Sequence, residues 1–353
     1  MTSANQLQNM NYLPKDEALA LLTREGPAIL ANEVNIGRRV KFQEDNGIPV
    51  LQLNNDTEVH LTAPDTAERL LKFLDIPRGF AKDTPVNLLN PIMEERIQRH
   101  RSLVVVTDEE GQLVELKNQG DLQPLVDPTN LLTQIEEQFP EVLYQRAEVD
   151  AQGNANLLAI TQSGETRLEE LLAPGVHHFL PDGGDPFRSG IHLRFSTTGL
   201  TAPAIQPYMV RLWCLNGALH GEFLDQWSRG YGEGDEIYQY FRQGMEEAAQ
   251  RTRGIMGRYA GMVQEIDGGG QGRRAAVEGL IHAARLPAGQ ANDVRDRAIV
   301  DPPVTHLDVW NLLTANASHN SRNFGEQLTR MARAGHHADP EQVHTWCATC
   351  GRN

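Results

Sequence analysis

Between His336 and Cys350 the chain gathers three histidines and two cysteines within fifteen residues, His336-His337-Ala338-Asp339-Pro340-Glu341-Gln342-Val343-His344-Thr345-Trp346-Cys347-Ala348-Thr349-Cys350. Zinc takes thiolate and imidazole ligands tetrahedrally, and two cysteines separated by two residues can share one ion. The expected site is His337, His344, Cys347 and Cys350, with His336 as an alternative to His337. The second ligand pair is usually ten to twenty residues away, and here it is closer. A plain reduced pair of thiols is the competing reading. Redox chemistry is a third, but a reactive thiol needs a following helix to lower its pKa. Only Gly351, Arg352 and Asn353 follow Cys350, so that support is expected to be missing.

A second kind of chemistry is offered by arginine. All five lysines lie before residue 118, so every later Lys or Arg position is an arginine, whose planar fork suits phosphate or carboxylate. Arg251, Arg253, Arg258, Arg273 and Arg274, with Arg285, Arg295 and Arg297 beyond them, would form one basic face for nucleic acid if the helices that carry them aligned. Tyr231, Tyr238, Tyr240 and Tyr259 would then offer stacking surfaces, although their helical spacing also suits core packing. The cluster Gly268-Gly269-Gly270-Gln271-Gly272 before Arg273 lacks the Lys-Ser/Thr of a phosphate-binding loop and follows a helix, so it reads as a helix–helix connection. There is no GxSxG and no HExxH. Cys214 lies in an apolar run and reads as a buried thiol. His177, His178 and His192 flank the loop Pro181–Pro186, whose Asp182 and Asp185 are more simply turn formers.

Charge divides unevenly. Residues 1–184 carry 15 Lys and Arg against 29 Asp and Glu, and residues 185–353 carry 17 against 18, out of a net −15. With 40% hydrophobic and 22% charged residues the chain is expected to fold as a globular protein rather than stay disordered. No run of eighteen apolar residues predicts a membrane span. The start lacks the pattern of a secretory signal, and three cysteines are too few for a disulfide scaffold, so a cytoplasmic location is expected.

The elements that must position these residues can be read from periodicity. Ile191, Leu193 and Phe195 alternate with His192 and Arg194, a half-buried strand. A second apolar run, Met209–Leu215, ends in Asn216-Gly217, which reads as a sharp turn. Two hairpins are expected around residues 108–111 and 151–154, and strands at 40–42, 49–53 and 58–61. Helices are predicted at 15–24, near 65–76 with Asp65 as cap, at 88–99 with Pro91 in the first turn, and at 131–139. Beyond Gly221 the pattern is almost wholly helical: 235–266 with a break near Gly254, 273–285, and one or two helices in 308–334. The fold class is therefore α+β, mainly antiparallel strands with helices first and a helical C-terminal part. The division expected is an acidic α+β region over 1–184, a strand-turn segment and helices over 185–335, and a Cys/His tail over 336–353.

The segment Arg211-Leu212-Trp213-Cys214-Leu215-Asn216-Gly217 resembles the RxxCxNG segment of phage- and plasmid-associated proteins grouped as domain of unknown function 932. Leu74-Asp75-Ile76-Pro77-Arg78-Gly79-Phe80, with Pro85 and Leu88-Leu89-Asn90, is similar to another motif of that family. The resemblance spans about residues 65–335 and implies a phage or plasmid setting. It carries over no activity and no catalytic residue. The residues themselves read structurally: Cys214 packs, Asn216-Gly217 turns, and Arg211 pairs with a carboxylate from another segment. The functional expectation is a non-catalytic phage or plasmid protein associated with DNA, binding single strands in replication or recombination. The alternative is a virion or assembly protein that self-associates through its helical half.

Overall fold

The computed structural model describes residues 12–23, 30–35, 41–45, 48–52, 58–60, 64–100, 102–107, 112–118, 123–150, 153–161, 166–172, 186–211, 216–220 and 234–338. The chain is α+β. Helix α1 (Lys15–Thr23) leads into strands β1 (Leu30–Asn35), β2 (Lys41–Asp45), β3 (Ile48–Gln52) and β4 (Glu58–His60), then helices α2 (Pro64–Phe73), α3 (Arg78–Asp83) and α4 (Val86–Ile97). Strands β5 (Ser102–Thr107) and β6 (Leu113–Asn118) form the first expected hairpin, and β1 pairs antiparallel with β5 outside it. Strands β2, β3 and β4 make a separate three-stranded meander. Leu51, Leu70, Leu74, Ile76, Met93, Ile97, Val105, Leu113 and Leu116 bury one common core, so residues 30–118 form a small lobe of their own.

Local chemistry sets the ends of the helices in this lobe. Helix α2 starts at Pro64, one residue before the expected cap Asp65, because proline's fixed φ suits the first helical position. Asp75 at φ 54 stops the chain after α2, a conformation that aspartate tolerates. Pro85 occupies the N-cap of α4, so Pro91 falls inside the helix instead of in its first turn. Among the described residues, the lobe touches the rest of the molecule around Leu200. There Leu200 packs on Val104 and Val106, Lys117 Nζ donates to the Leu200 carbonyl, and Gln123 N donates to the Gly199 carbonyl.

The larger body starts with α5 (Pro128–Gln138), capped by the Asp127 carboxylate, which accepts from Thr129 N at 3.0 Å. Strands β7 (Leu143–Val149), β8 (Asn154–Ile160), β9 (Thr166–Arg167), β10 (Pro186–Ser196), β11 (Ala204–Arg211) and β12 (Asn216–Leu219) make one antiparallel six-stranded sheet, in the order β12-β11-β10-β8-β7 with β9 beside β10. The second expected hairpin is β7–β8. The sheet takes strands from both sides of residue 184, so the change in charge there lies within one structural layer. Period-2 alternation sends Leu157, Ile191, Leu193, Phe195 and Ile205 to one face, against Ala18 and Leu22 of α1, Leu131, Leu132 and Ile135 of α5, and α6 (Gly234–Met262). Helix α6 runs unbroken through Gly254.

After α6 the glycine cluster does not loop. Gly268 (φ 87) caps α7 (Gly269–Ala283), and a Cβ on Gly272 would stand 1.8 Å from the Asp267 carbonyl oxygen, so the cluster is the tight first turn of that helix. Helix α8 (Ala288–Val300) was not foreseen, since it buries only Ala291 and Val294 among residues of its own and shows no apolar stripe. Helix α9 (His306–His319) opens on a capping box formed by Thr305 and Asp308, and α10 (Phe324–His336) on Asn323, which accepts from Glu326 N at 2.9 Å. The opposite face of the sheet packs Leu158, Ile160, Tyr208, Val210 and Leu219 against Ala317 of α9 and Phe324, Leu328 and Met331 of α10. Gly335 lets α10 touch strand β12: a Cβ there would lie 1.7 Å from the Leu219 carbonyl oxygen.

Candidate functional site

The face of the sheet beneath α9 and α10 carries buried polar groups in addition to the apolar ones. Buried Arg188 and His192 and half-buried Arg194 alternate with the apolar residues of β10, and His192 Nε2 lies 3.1 Å from Asn156 Oδ1. Burial pulls the His192 pKa from 6.5 down to about 3; a hydrogen bond with Gln206 works upward and the charge of Arg194 downward. His220, just past β12, shares a hydrogen bond with the Tyr259 hydroxyl of α6. Burial, then the charge of Arg258, brings its pKa down to about 3, and burial raises Tyr259 well above 10.0. Phe187 and Trp310 stand 5.1 and 4.7 Å from the Tyr259 ring, and Trp310 Nε1 donates to the Ala334 carbonyl at 2.7 Å. These histidines are therefore neutral core groups: His192 ties neighbouring strands of the sheet together, and His220 ties the end of β12 to α6. Among the described residues no three histidines, cysteines or carboxylates are grouped to hold a metal.

The residues of the Arg211–Gly217 segment fall at the edge of the sheet. Arg211 ends β11, and Asn216 and Gly217 open β12 directly across from Arg211 and Val210. Asn216-Gly217 thus belongs to a strand and not to the expected turn. Residues 212–215, Cys214 among them, lie outside the described residues. Half-buried Arg211 lines a cavity of about 610 Å³ between the sheet edge, the end of α8 and the start of α9. Arg297 enters from α8, with Asp296 and Asp301 beside it, while Pro302, Pro303, Leu312 and Ala315 supply apolar wall. Asp308 also lines the cavity, but its Oδ2 accepts from Val304 N at 3.1 Å and Thr305 N at 2.9 Å, which commits it to the helix cap. Two guanidinium groups and two carboxylates on an apolar frame suit a ligand with both an anionic and a hydrogen-bond-donating part.

The other predicted residues are scattered. Arg251 faces Glu247 at 3.9 Å on the exposed side of α6, and Arg273 faces Glu265 at 3.9 Å. Arg258 and Arg274 are exposed on α6 and α7; Arg253 lies on α6, with its side chain outside the described residues. Arg295 binds Glu278 through two nitrogens, at 2.6 and 2.7 Å. Arg251, Arg273 and Arg295 thus each stand beside a glutamate. Tyr259 is core, and Tyr238 shares a hydrogen bond with the backbone of Asp127. Tyr231 lies outside the described residues.

His337 caps the C-terminus of α10. It is 6% exposed, its Nδ1 has no hydrogen-bond partner, and burial, then His336 and Arg333, holds its pKa down at about 4. His344, Cys347 and Cys350, expected to join it, lie outside the described residues, as do His177, His178, Asp182 and Asp185. Arg297, expected on the basic face, stands instead in the cavity with Asp296 and Asp301, and Asp301-Pro302-Pro303 at the end of α8 is the stretch of sequence that marks the place.

No protein-family model, curated protein or solved structure matches the chain. Among the described residues, no helix is long and apolar enough to cross a membrane.

Proposed function

We propose that the chain is a non-catalytic, DNA-associated protein of the phage or plasmid setting suggested by its Arg211–Gly217 segment. It engages single strands one nucleotide at a time in the cavity at the edge of its sheet. The observation that carries this reading is the presence of Arg211 and Arg297 in one cavity of about 610 Å³ with an apolar wall, distant in sequence and brought together by the fold. The two guanidinium groups suit the phosphates on either side of one nucleotide, the proline and leucine wall suits its base, and Asp296 and Asp301 can accept from the base's amino edge. Labelled oligodeoxynucleotides of each base, titrated at low salt and followed by anisotropy, test it. Saturable binding that weakens in Arg297→Ala is expected; no binding at low salt rejects it.

A second reading, self-assembly, is favoured by Ile299 and Val300, which are 74% and 86% exposed at the end of α8. It predicts large oligomers by light scattering at micromolar concentration that Val300→Asp disperses, and a monodisperse monomer rejects it.

We also infer that the tail binds zinc with His337 as the ligand fixed by the fold. A buried imidazole nitrogen without a partner fits a metal–nitrogen bond, and two residues later the chain enters the segment that carries His344, Cys347 and Cys350. Bound zinc would crosslink the tail to the end of α10. One zinc per chain is expected by elemental analysis, lost in Cys347→Ser; zinc-free protein from zinc-supplemented preparation rejects the site.

A further inference from the structure

Arg188, the third residue of β10, is 9% exposed and its Nε has no hydrogen-bond partner. Among the described residues no carboxylate comes within ion-pair distance of its guanidinium. Burying a cation without a counter-charge costs several kcal/mol in general, so folds rarely keep one without a use for it. Arg188 faces Val210 across the β10–β11 pair, and Val210 belongs to the cluster with Tyr208 on which Tyr12 packs. The Tyr208 hydroxyl donates to Gln145 Oε1 at 2.7 Å. Tyr12, Tyr208 and Arg188 therefore lie around Val210 in one neighbourhood inside an otherwise apolar layer.

We infer that this neighbourhood is a binding site for one small oxyanion, a carboxylate or a phosphate group, held by Arg188 with the Tyr12 hydroxyl beside it. Guanidinium is the side chain best matched to such a group, since its fork meets two oxygens at once, and a phenol adds a neutral donor that needs no counter-charge. The ligand is chemically distinct from a strand of nucleic acid. Arg188 lies on the face of the sheet that α9 and α10 cover, whereas the cavity with Arg211 and Arg297 opens at the sheet edge, so the site stands or falls independently of the nucleotide reading.

The test is thermal unfolding of the full-length chain in chloride, acetate and inorganic phosphate at matched ionic strength. The midpoint is expected to rise saturably in acetate or phosphate, by about 5 °C at a hundredfold excess over Kd, and whichever anion acts at lower concentration names the group. Arg188→Met, which keeps the volume and removes the charge, should lose the rise, and Arg251→Ala, on the exposed side of α6, should keep it. General salt stabilisation is unsaturable and would be shared by both variants. Superimposable wild-type midpoints in all three salts, or a full rise in Arg188→Met, would overturn the site. Should Arg188→Met fail to fold, the 31P line of inorganic phosphate and the 1H line of acetate answer in its place: broadening of at least one by wild-type protein is expected, and two unbroadened lines reject the site.

Discussion

The arginines of the late helices and those of the sheet and its edge share a chemistry but not an environment. On α6 and α8 the side chains of Arg251 and Arg295 reach outward and on α7 Arg273 is half-buried, each beside an exposed glutamate, and such pairs contribute about 1 kcal/mol at most. Arg188 is enclosed by the sheet, and Arg211 and Arg297 line a cavity instead of an open helix surface. A guanidinium on an open helix surface is screened by water and salt, whereas one in a walled cavity keeps most of its field. The number of arginines in a segment is therefore a poor guide to binding, and their enclosure is a better one.

That contrast can be broken most severely at the contact that builds the sheet edge. Gly335→Ala places a methyl group against the Leu219 carbonyl, so α10 must leave β12. Stability is expected to fall by about 3 kcal/mol or more in urea titration, with oligonucleotide binding lost along with it. A variant as stable as wild type would show that α10 does not bear on β12 in this way.

Acid should act next, through the neutral histidines beneath the helices. Burial holds the pKa values of His192 and His220 at about 3 in the fold, against 6.5 for an ordinary histidine, so the folded chain binds fewer protons over that range. The stability they contribute is complete above 6.5 and is lost as pH falls toward 3, at about 1.4 kcal/mol per pH unit for each histidine. Between pH 6.5 and 5, where most carboxylates remain ionised, the urea midpoint should drop, and His220→Gln should reduce the slope. A flat midpoint over that interval would contradict the burial of both imidazoles.

Smaller effects separate the two arginine sets. Arg297→Ala should weaken oligonucleotide binding about tenfold while changing the urea midpoint little, as expected for loss of one charge-assisted hydrogen bond. Arg251→Ala should alter neither stability by more than about 0.5 kcal/mol nor affinity measurably. Equal losses in the two variants would return the binding role to the open helix surface.

Much of this architecture was legible residue by residue. Asp108–Gly111 and Ala151–Asn154 marked both hairpins, because turn-forming residues stood between alternating apolar runs. Ile191, Leu193 and Phe195 gave the inner face of β10, and Leu70 and Leu74 the stripe of α2. Helix α8 escaped because its short apolar contacts show no period. The turn after β11 was placed too late, since Leu212-Trp213-Cys214-Leu215 reads as more strand, while the pairing of Arg211 with Asn216 makes Asn216-Gly217 the start of β12. The meeting of Arg211 with Arg297 escaped for a different reason: it depends on how α8 and α9 pack against the sheet edge, a long-range outcome that no local spacing records. The charge step at residue 184 was real but did not mark a boundary, because hydrogen bonds between β8 and β10 cross it.

The most direct test is the salt dependence of single-stranded DNA binding in the wild type and in Arg297→Ala. A cavity that neutralises two phosphates predicts a slope of log K on log salt of about −1.4, reduced to about −0.7 when Arg297 is removed. A slope of about −3.5 that Arg297→Ala leaves unchanged is what five arginines on an open helical face would give, and it would contradict binding in the cavity.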